Sequence, residues 1–262
     1  MALDRAVWTF EFTRASRLPW NCPACDSARL AVREGTLHEG QTAVSVEAQE
    51  DPASEPEWIK GRFSSMLVCA HCNGQIALAG TYRVQDDRYL DPQYGETGDY
   101  TNYYRPVYFS DAPHIIRIPP ETPEPVSEEL RRSFQLFWSD PESCANRIRS
   151  CVEKLLTQQG IPRTNGRMAA NVGKKRVFLN LHTRIQLFEA KNRPVAQALM
   201  AVKWIGNAGS HSSPVSASDV LDGYELMEFV MDKVYVKRDS RIGALTRSIN
   251  RRKGPRSRRR GP

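Results

Sequence analysis

Two Cys-x-x-Cys pairs constrain this chain more than any other feature: Cys22-Pro-Ala-Cys25 and Cys69-Ala-His-Cys72. Each pair sets two thiols on one tight turn, so that both sulfurs can reach one tetrahedral ion at about 2.3 Å. Pro23 stiffens the first turn. Asn73-Gly74, after the second pair, suits a tight hairpin, because glycine tolerates positive φ. The flanking segments RFSSMLVC and QIALAGTYRV read as its two strands. Cys22, Cys25, Cys69 and Cys72 are therefore the expected ligands of a structural Zn²⁺. Four thiolates close the tetrahedron and leave no position for a catalytic water. The 43-residue gap between the pairs is longer than usual ribbon spacing. Reduced cysteines in a small β core are the alternative, and His71, inside the second knuckle, could replace one thiolate. A redox role fits poorly, because two pairs are present and neither opens a βαβ unit.

Metal ligation rather than disulfide bonding goes with a reducing compartment. The N-terminal MALDRAVWTFEF lacks the apolar stretch and cleavage site of a signal peptide, so a cytoplasmic location is expected. No apolar run approaches the roughly 18 residues of a membrane span, and no membrane partner is expected. The net charge of +7 is unevenly placed. Residues 237–262 hold eleven Lys/Arg against one Asp, a net +10, which leaves −3 for the other 236 residues. The basic character is expected in the tail, where contact with RNA or DNA phosphates through counterion release is its natural use.

The remaining N-terminal stretches have weaker signals. Residues 7–13 alternate as a strand would, and TAVSVEA at 42–48 reads as another. AQEDPASEPEW is an acidic, Pro/Ser-containing loop. Residues 86–105 are polar and turn-rich with five tyrosines, and irregular structure is expected. HIIRIPPETPEPVS carries a short strand into a Pro-rich linker, which puts a domain boundary near residue 122.

From there the periodicity becomes helical. One helix is expected from Ser127 through Trp138. The next begins at an Asp140 cap with Pro141 in its first turn and runs to about 158. Its buried face carries Cys144, Ile148, Cys151, Val152 and Leu155, so both cysteines read as core thiols. A polar loop over 163–175 follows. Then come a stripe of Val177, Leu181, Ile185 and Phe188, an Asn192-capped helix ending at Gly206, and a helix opened by Ser216 and Asp219 as a capping box. Helices with one apolar stripe each make an antiparallel bundle. The expected class is α+β. Residues 1–122 form a zinc-ribbon-like β module, 123–237 a bundle of four to five helices, and 238–262 a basic disordered tail.

One turn in the helical half invites a chemical reading. In WIGNAGSH, Asn207 and His211 flank Ala-Gly-Ser. Gly206 could simply stop the helix and His211 hydrogen-bond the next one. Alternatively, the His211 imidazole, which titrates near neutral pH, could act as general acid or base. RNA cleavage by 2′-hydroxyl attack would need such a group, and a cation to stabilise the charge that builds on phosphorus.

CPAC at 22–25, IRIPPETPEPV at 116–126, RSCVE at 149–153 and GNAGSH at 206–211 occur in this order over residues 20 to about 235. Together they resemble the DUF4145 family, which is similar to the HEPN superfamily of four-helix bundles. Many HEPN proteins are RNases of toxin–antitoxin and phage-defence systems. The resemblance implies a HEPN-like bundle and a homodimer, with an active site where two copies of the motif meet. The superfamily pattern is arginine, a polar residue, a few residues, then histidine. Asn207 and His211 match it, and Gly206 stands at the arginine position. Lys203, one turn earlier, or Arg149 would have to supply the cation. Arg149 and Glu153 also read as a plain intrahelical pair.

Two functions follow as expectations. The first is a nucleic-acid-directed HEPN-like protein of bacterial defence, catalytic or not, with metal-independent RNase activity as the catalytic form. The second is a non-catalytic zinc-stabilised interaction and dimerisation module that docks a protein partner and contacts nucleic acid through its tail. A zinc-dependent transcription regulator ranks last, for want of a recognition helix.

Overall fold

A computed structural model describes residues 3–93, 95–164, 177–208, 214–236 and 238–254. The N-terminal half is built on one antiparallel sheet. Its strands are β1 (Leu30–Val32), β2 (His38–Gln41), β3 (Lys60–Cys69), β4 (Gln75–Asp86) and β7 (Tyr100–Phe109). β3 is central: β1 pairs with its last residues, β2 with its first, and β4 lies along its other side, with β7 beyond. A small hairpin of β5 (Tyr89–Asp91) and β6 (Gly95–Thr97) extends from the β4–β7 connection.

The alternation expected of RFSSMLVC is present. Phe63, Ser65, Leu67 and Cys69 point inward, and Lys60, Arg62 and Ser64 point outward. The β3–β4 hairpin forms at Asn73-Gly74 as expected, but Asn73, at φ 56°, takes the left-handed conformation and Gly74 does not. At the register shift between Ala79 and Gly80 a side chain on Gly80 would strike the Arg105 carbonyl, so glycine lets β7 close on β4.

Four N-terminal expectations are corrected. Residues 7–13 are not a strand: Phe12 makes one isolated bridge with Tyr104. TAVSVEA is the helix α1 (Ala43–Ala48), capped by the Thr42 hydroxyl, which accepts from the Ser45 amide. Its valines have no sheet to bury them, and Val44 is 75% exposed. The tyrosine-rich 86–105 is not irregular throughout, because its second part is the start of β7. There Tyr104 faces the core while polar neighbours face out, so half-buried alternation was masked by turn-forming residues. No strand forms over residues 113–119.

The helical half comprises α2 (Glu124–Leu136), α3 (Pro141–Gln158), α4 (Leu181–Glu189), α5 (Arg193–Ala208), α6 (Ala217–Tyr235) and α7 (Arg238–Arg252). α2 starts earlier than expected, and Ser127 is buried within it, its hydroxyl donating to the Glu124 carbonyl. α3 packs against α2, α4, α5 and α6. The predicted caps are present: Asp140 on α3, Asn192 at the start of α5, and Ser216 with Asp219 as a reciprocal box on α6. Cys144 and Cys151 are fully buried, as their place on the α3 stripe predicted. Val177 lies outside α4 and is exposed. Buried Arg184 on α4 donates to the Glu153 and Ile161 carbonyls and the Thr157 hydroxyl, tying α4 to the C-terminal end of α3.

The expected disordered arm from residue 238 is replaced by α7 over Arg238–Arg252. Ile242, Leu245 and Ile249 recur at i, i+3 and i+7 among the arginines, a helical stripe that charge counting overlooked. All three are exposed. Residues 255–262 lie outside the described residues.

Sheet and helices share one buried cluster. Trp138, just past α2, contacts Trp8, Trp20 and Phe109 with ring centroids 5.1–6.2 Å apart. Arg5 reaches across to Asp222 and Glu225 on α6. Among the described residues no helix is long and apolar enough to cross a membrane.

Candidate metal centre and the Gly206 helix contact

The two knuckles are folded alike. After the first, the Asp26 amide donates to the Cys22 carbonyl at 2.8 Å, with Asp26 at φ 51°. After the second, the Asn73 amide donates to the Cys69 carbonyl at 3.0 Å, with Asn73 at φ 56°. Short polar residues tolerate this left-handed conformation best. β1 and β3 then bring the knuckles face to face, with Leu30 opposite Cys69.

The four sulfurs of Cys22, Cys25, Cys69 and Cys72 lie within 4.8 Å of one another. Cys22 is 3.7 Å from Cys72, and Cys25 is 3.6 Å from Cys69. A disulfide needs about 2.05 Å. A tetrahedral ion bonded at about 2.3 Å separates its sulfurs by about 3.8 Å. The cluster therefore fits a shared metal ion and not crosslinks. The Cys72 and His71 amides donate to the Cys69 sulfur and bring its pKa down, which favours the thiolate. Burial pushes the Cys22 thiol up in the absence of a cation. His71 is exposed and stands outside the cluster; its backbone serves the site and its imidazole does not.

The second candidate site lies where α5 crosses α3. α5 continues through Asn207 to Ala208, so Gly206 is inside the helix and does not end it. Its role is packing. A methyl group at Gly206 would sit 2.6 Å from Arg149 Cβ and 2.9 Å from the Ala145 carbonyl oxygen. The Arg149 side chain thus lies on the α-carbon that precedes Asn207. Its guanidinium is 3.4 Å from Glu153, and its Nε is buried with no hydrogen-bond partner. Lys203 is 8% exposed, with its ammonium 3.5 Å from the Trp204 ring centroid. Held there, it is a poorer candidate than Arg149 for contact with a phosphate. His211 lies outside the described residues.

Residues 10–109 match the family described as Domain of unknown function (DUF8608). Residues 131–252 match the family described as Domain of unknown function (DUF4145). The second match covers most of the helical half, from within α2 to the end of α7. No curated protein and no solved structure matches the chain. Of the motifs that carried the resemblance, RSCVE and GNAGSH fall inside the DUF4145 match, while CPAC falls inside the DUF8608 match. The C-terminal boundaries of both matches follow the fold. The DUF8608 match ends with β7 at Phe109, and the DUF4145 match ends with α7 at Arg252. α7 therefore lies within the DUF4145 match rather than in a trailing arm. The close approach of Gly206 to Arg149 is internal to that match. It was invisible in the sequence, where Gly206 reads as a helix stop.

Proposed function

We propose that the four cysteines hold a structural Zn²⁺ and that the protein acts on nucleic acid through a HEPN-like DUF4145 domain, as a metal-independent RNase. Zinc is the ion of choice for four thiolates in a closed tetrahedral shell. Such an ion staples the first knuckle to the β3–β4 hairpin and takes no part in chemistry.

The observation that carries the nuclease reading is the Arg149 side chain lying on Gly206, beside Asn207. The stem of an α3 arginine then lies against the position where the superfamily pattern has its own arginine. In cleavage, the RNA 2′-hydroxyl attacks the adjacent phosphorus. His211 takes the hydroxyl proton or returns one to the leaving oxygen. Arg149 stabilises the charge that builds on the phosphoryl oxygens, and Asn207 orients the phosphodiester. Defence against phage or mobile elements, and a homodimer through the helical half, belong to the same reading. Exposed Trp204 and Leu187 on α5 and α4 offer apolar area for such a dimer.

The test is labelled RNA incubated in buffer without added divalent cations, comparing wild type with His211→Ala and Arg149→Ala. Cleavage abolished by either change supports the site. The contact between Arg149 and Glu153 favours a second reading, in which the cation is neutralised within its own helix. The protein would then be a non-catalytic zinc-stabilised interaction module. RNA left intact by the wild-type protein would select it.

A further inference from the structure

The outer face of the N-terminal sheet collects cations that lie far apart in sequence. Lys60 on β3 is directly opposite Arg83 on β4. Thr81 is opposite Arg62 on one side and Arg105 of β7 on the other. Directly opposite side chains have Cβ atoms about 5 Å apart, and like charges so placed destabilise a sheet. One carboxylate relieves them: Glu11 binds Arg83 at 2.9 Å. Lys60, Arg62 and Arg105 are exposed, and none of them has an ion-pair partner among the described residues. These residues with Tyr103 line a shallow depression of about 340 Å³. Tyr108 stands on the same face, opposite Ala79, and is 56% exposed.

We propose that this face binds a single-stranded nucleic acid, with Lys60, Arg62, Arg83 and Arg105 on its phosphates and Tyr108 under a base. A chain whose residues 1–236 carry a net −3 nevertheless keeps three unpaired cations, Lys60, Arg62 and Arg105, together on one surface beside the Glu11-paired Arg83. Uncompensated like charge costs stability, and a polyanion offsets that cost. The cations spread over three strands spaced about 4.8 Å apart, so an extended anion can satisfy them where a single phosphate cannot. An exposed aromatic ring beside a basic surface is the usual platform for unpaired bases. The face is opposite the side of the sheet that packs on α2 and Trp138, and it stands whether or not His211 cleaves RNA.

Binding of the full-length protein to fluorescein-labelled oligothymidine, followed by anisotropy over a salt series, tests this. DNA lacks the 2′-hydroxyl, so the outcome is separate from any RNase activity. Arg62→Gln with Arg105→Gln should lower the slope of log affinity against log salt by about 1.4, at about 0.7 per phosphate contact. Tyr108→Ala should weaken binding on the order of tenfold at unchanged slope. Arg62→Lys with Arg105→Lys should keep the wild-type slope, which a loss of fold would not. Lys154→Gln with Arg163→Gln, the charge-matched control on the helical half, should leave binding unchanged. A slope unaltered by the sheet glutamines would overturn the proposal. So would a loss no larger than that of the control pair, or capture of anionic lipid vesicles in place of the strand.

Discussion

Trp138 meets Trp20 edge to face, with ring centroids 5.5 Å apart and planes at 86°. Trp20 sits two residues before the first metal-site cysteine, and Trp138 follows the first helix of the second half. Through this pair the two family matches share one core, so the metal module and the helices are expected to unfold together.

Trp138→Ala should cost about 3 kcal/mol, the low end for a large aromatic, because the ring is only partly buried. Urea unfolding read both by far-ultraviolet circular dichroism and by metal release would measure it. In the wild type the two transitions should coincide. Two separate transitions would show that the halves have independent cores.

Wild-type protein should contain about one zinc per chain, and Cys22→Ser should lose it. The loss should loosen residues 1–90 and, through the shared core, lower the urea midpoint of the helices as well. A strong chelator should do the same to wild type, since metal binding free energy is folding free energy for such a site. Metal analysis of the purified protein decides the matter, and a metal-free wild type would refute the centre.

Gly206→Ala should destabilise the protein by about 1–3 kcal/mol, although alanine is the better helix former. The added methyl would press on a backbone carbonyl at 2.9 Å, and α5 must move away from α3 to admit it. A thermal melt that rises instead would mean the two helices are not in contact at this point.

The Ser216 amide and hydroxyl both donate to the Asp219 carboxylate, at 2.8 and 2.6 Å, and hold its pKa below the usual carboxylate value. A carboxylate with a depressed folded pKa stabilises the protein above its unfolded pKa, and the contribution fades as pH falls through the folded one. Asp219→Ala should therefore lower stability by about 1 kcal/mol at neutral pH, with the difference closing in acid. Paired melts at pH 7 and near pH 3 would show whether the gap closes.

The features legible in the sequence are those encoded over short spans. Cys-x-x-Cys spacing fixes two thiols on one turn. Asn73-Gly74 sets a hairpin, the caps at Asp140, Asn192 and Ser216 open helices, and the stripe of α3 buries Cys144 and Cys151. Each depends on residues within a few positions of one another, where backbone geometry leaves little choice. The helix of residues 43–48 misled because a short alternation fits either period until a sheet edge is there to claim it, and none was.

Tertiary structure decided the rest, since it depends on which distant segments meet. Only the register of β3, β4 and β7 places Lys60, Arg62, Arg83 and Arg105 on one face. The crossing of α3 and α5 turns Gly206 from an apparent stop signal into a contact with Arg149. Closure of β1 on β3 gathers four sulfurs from two turns 43 residues apart. Local sequence sets what each segment can form. Burial of its apolar face chooses the neighbour, and that choice determines which charged and ligating groups come together.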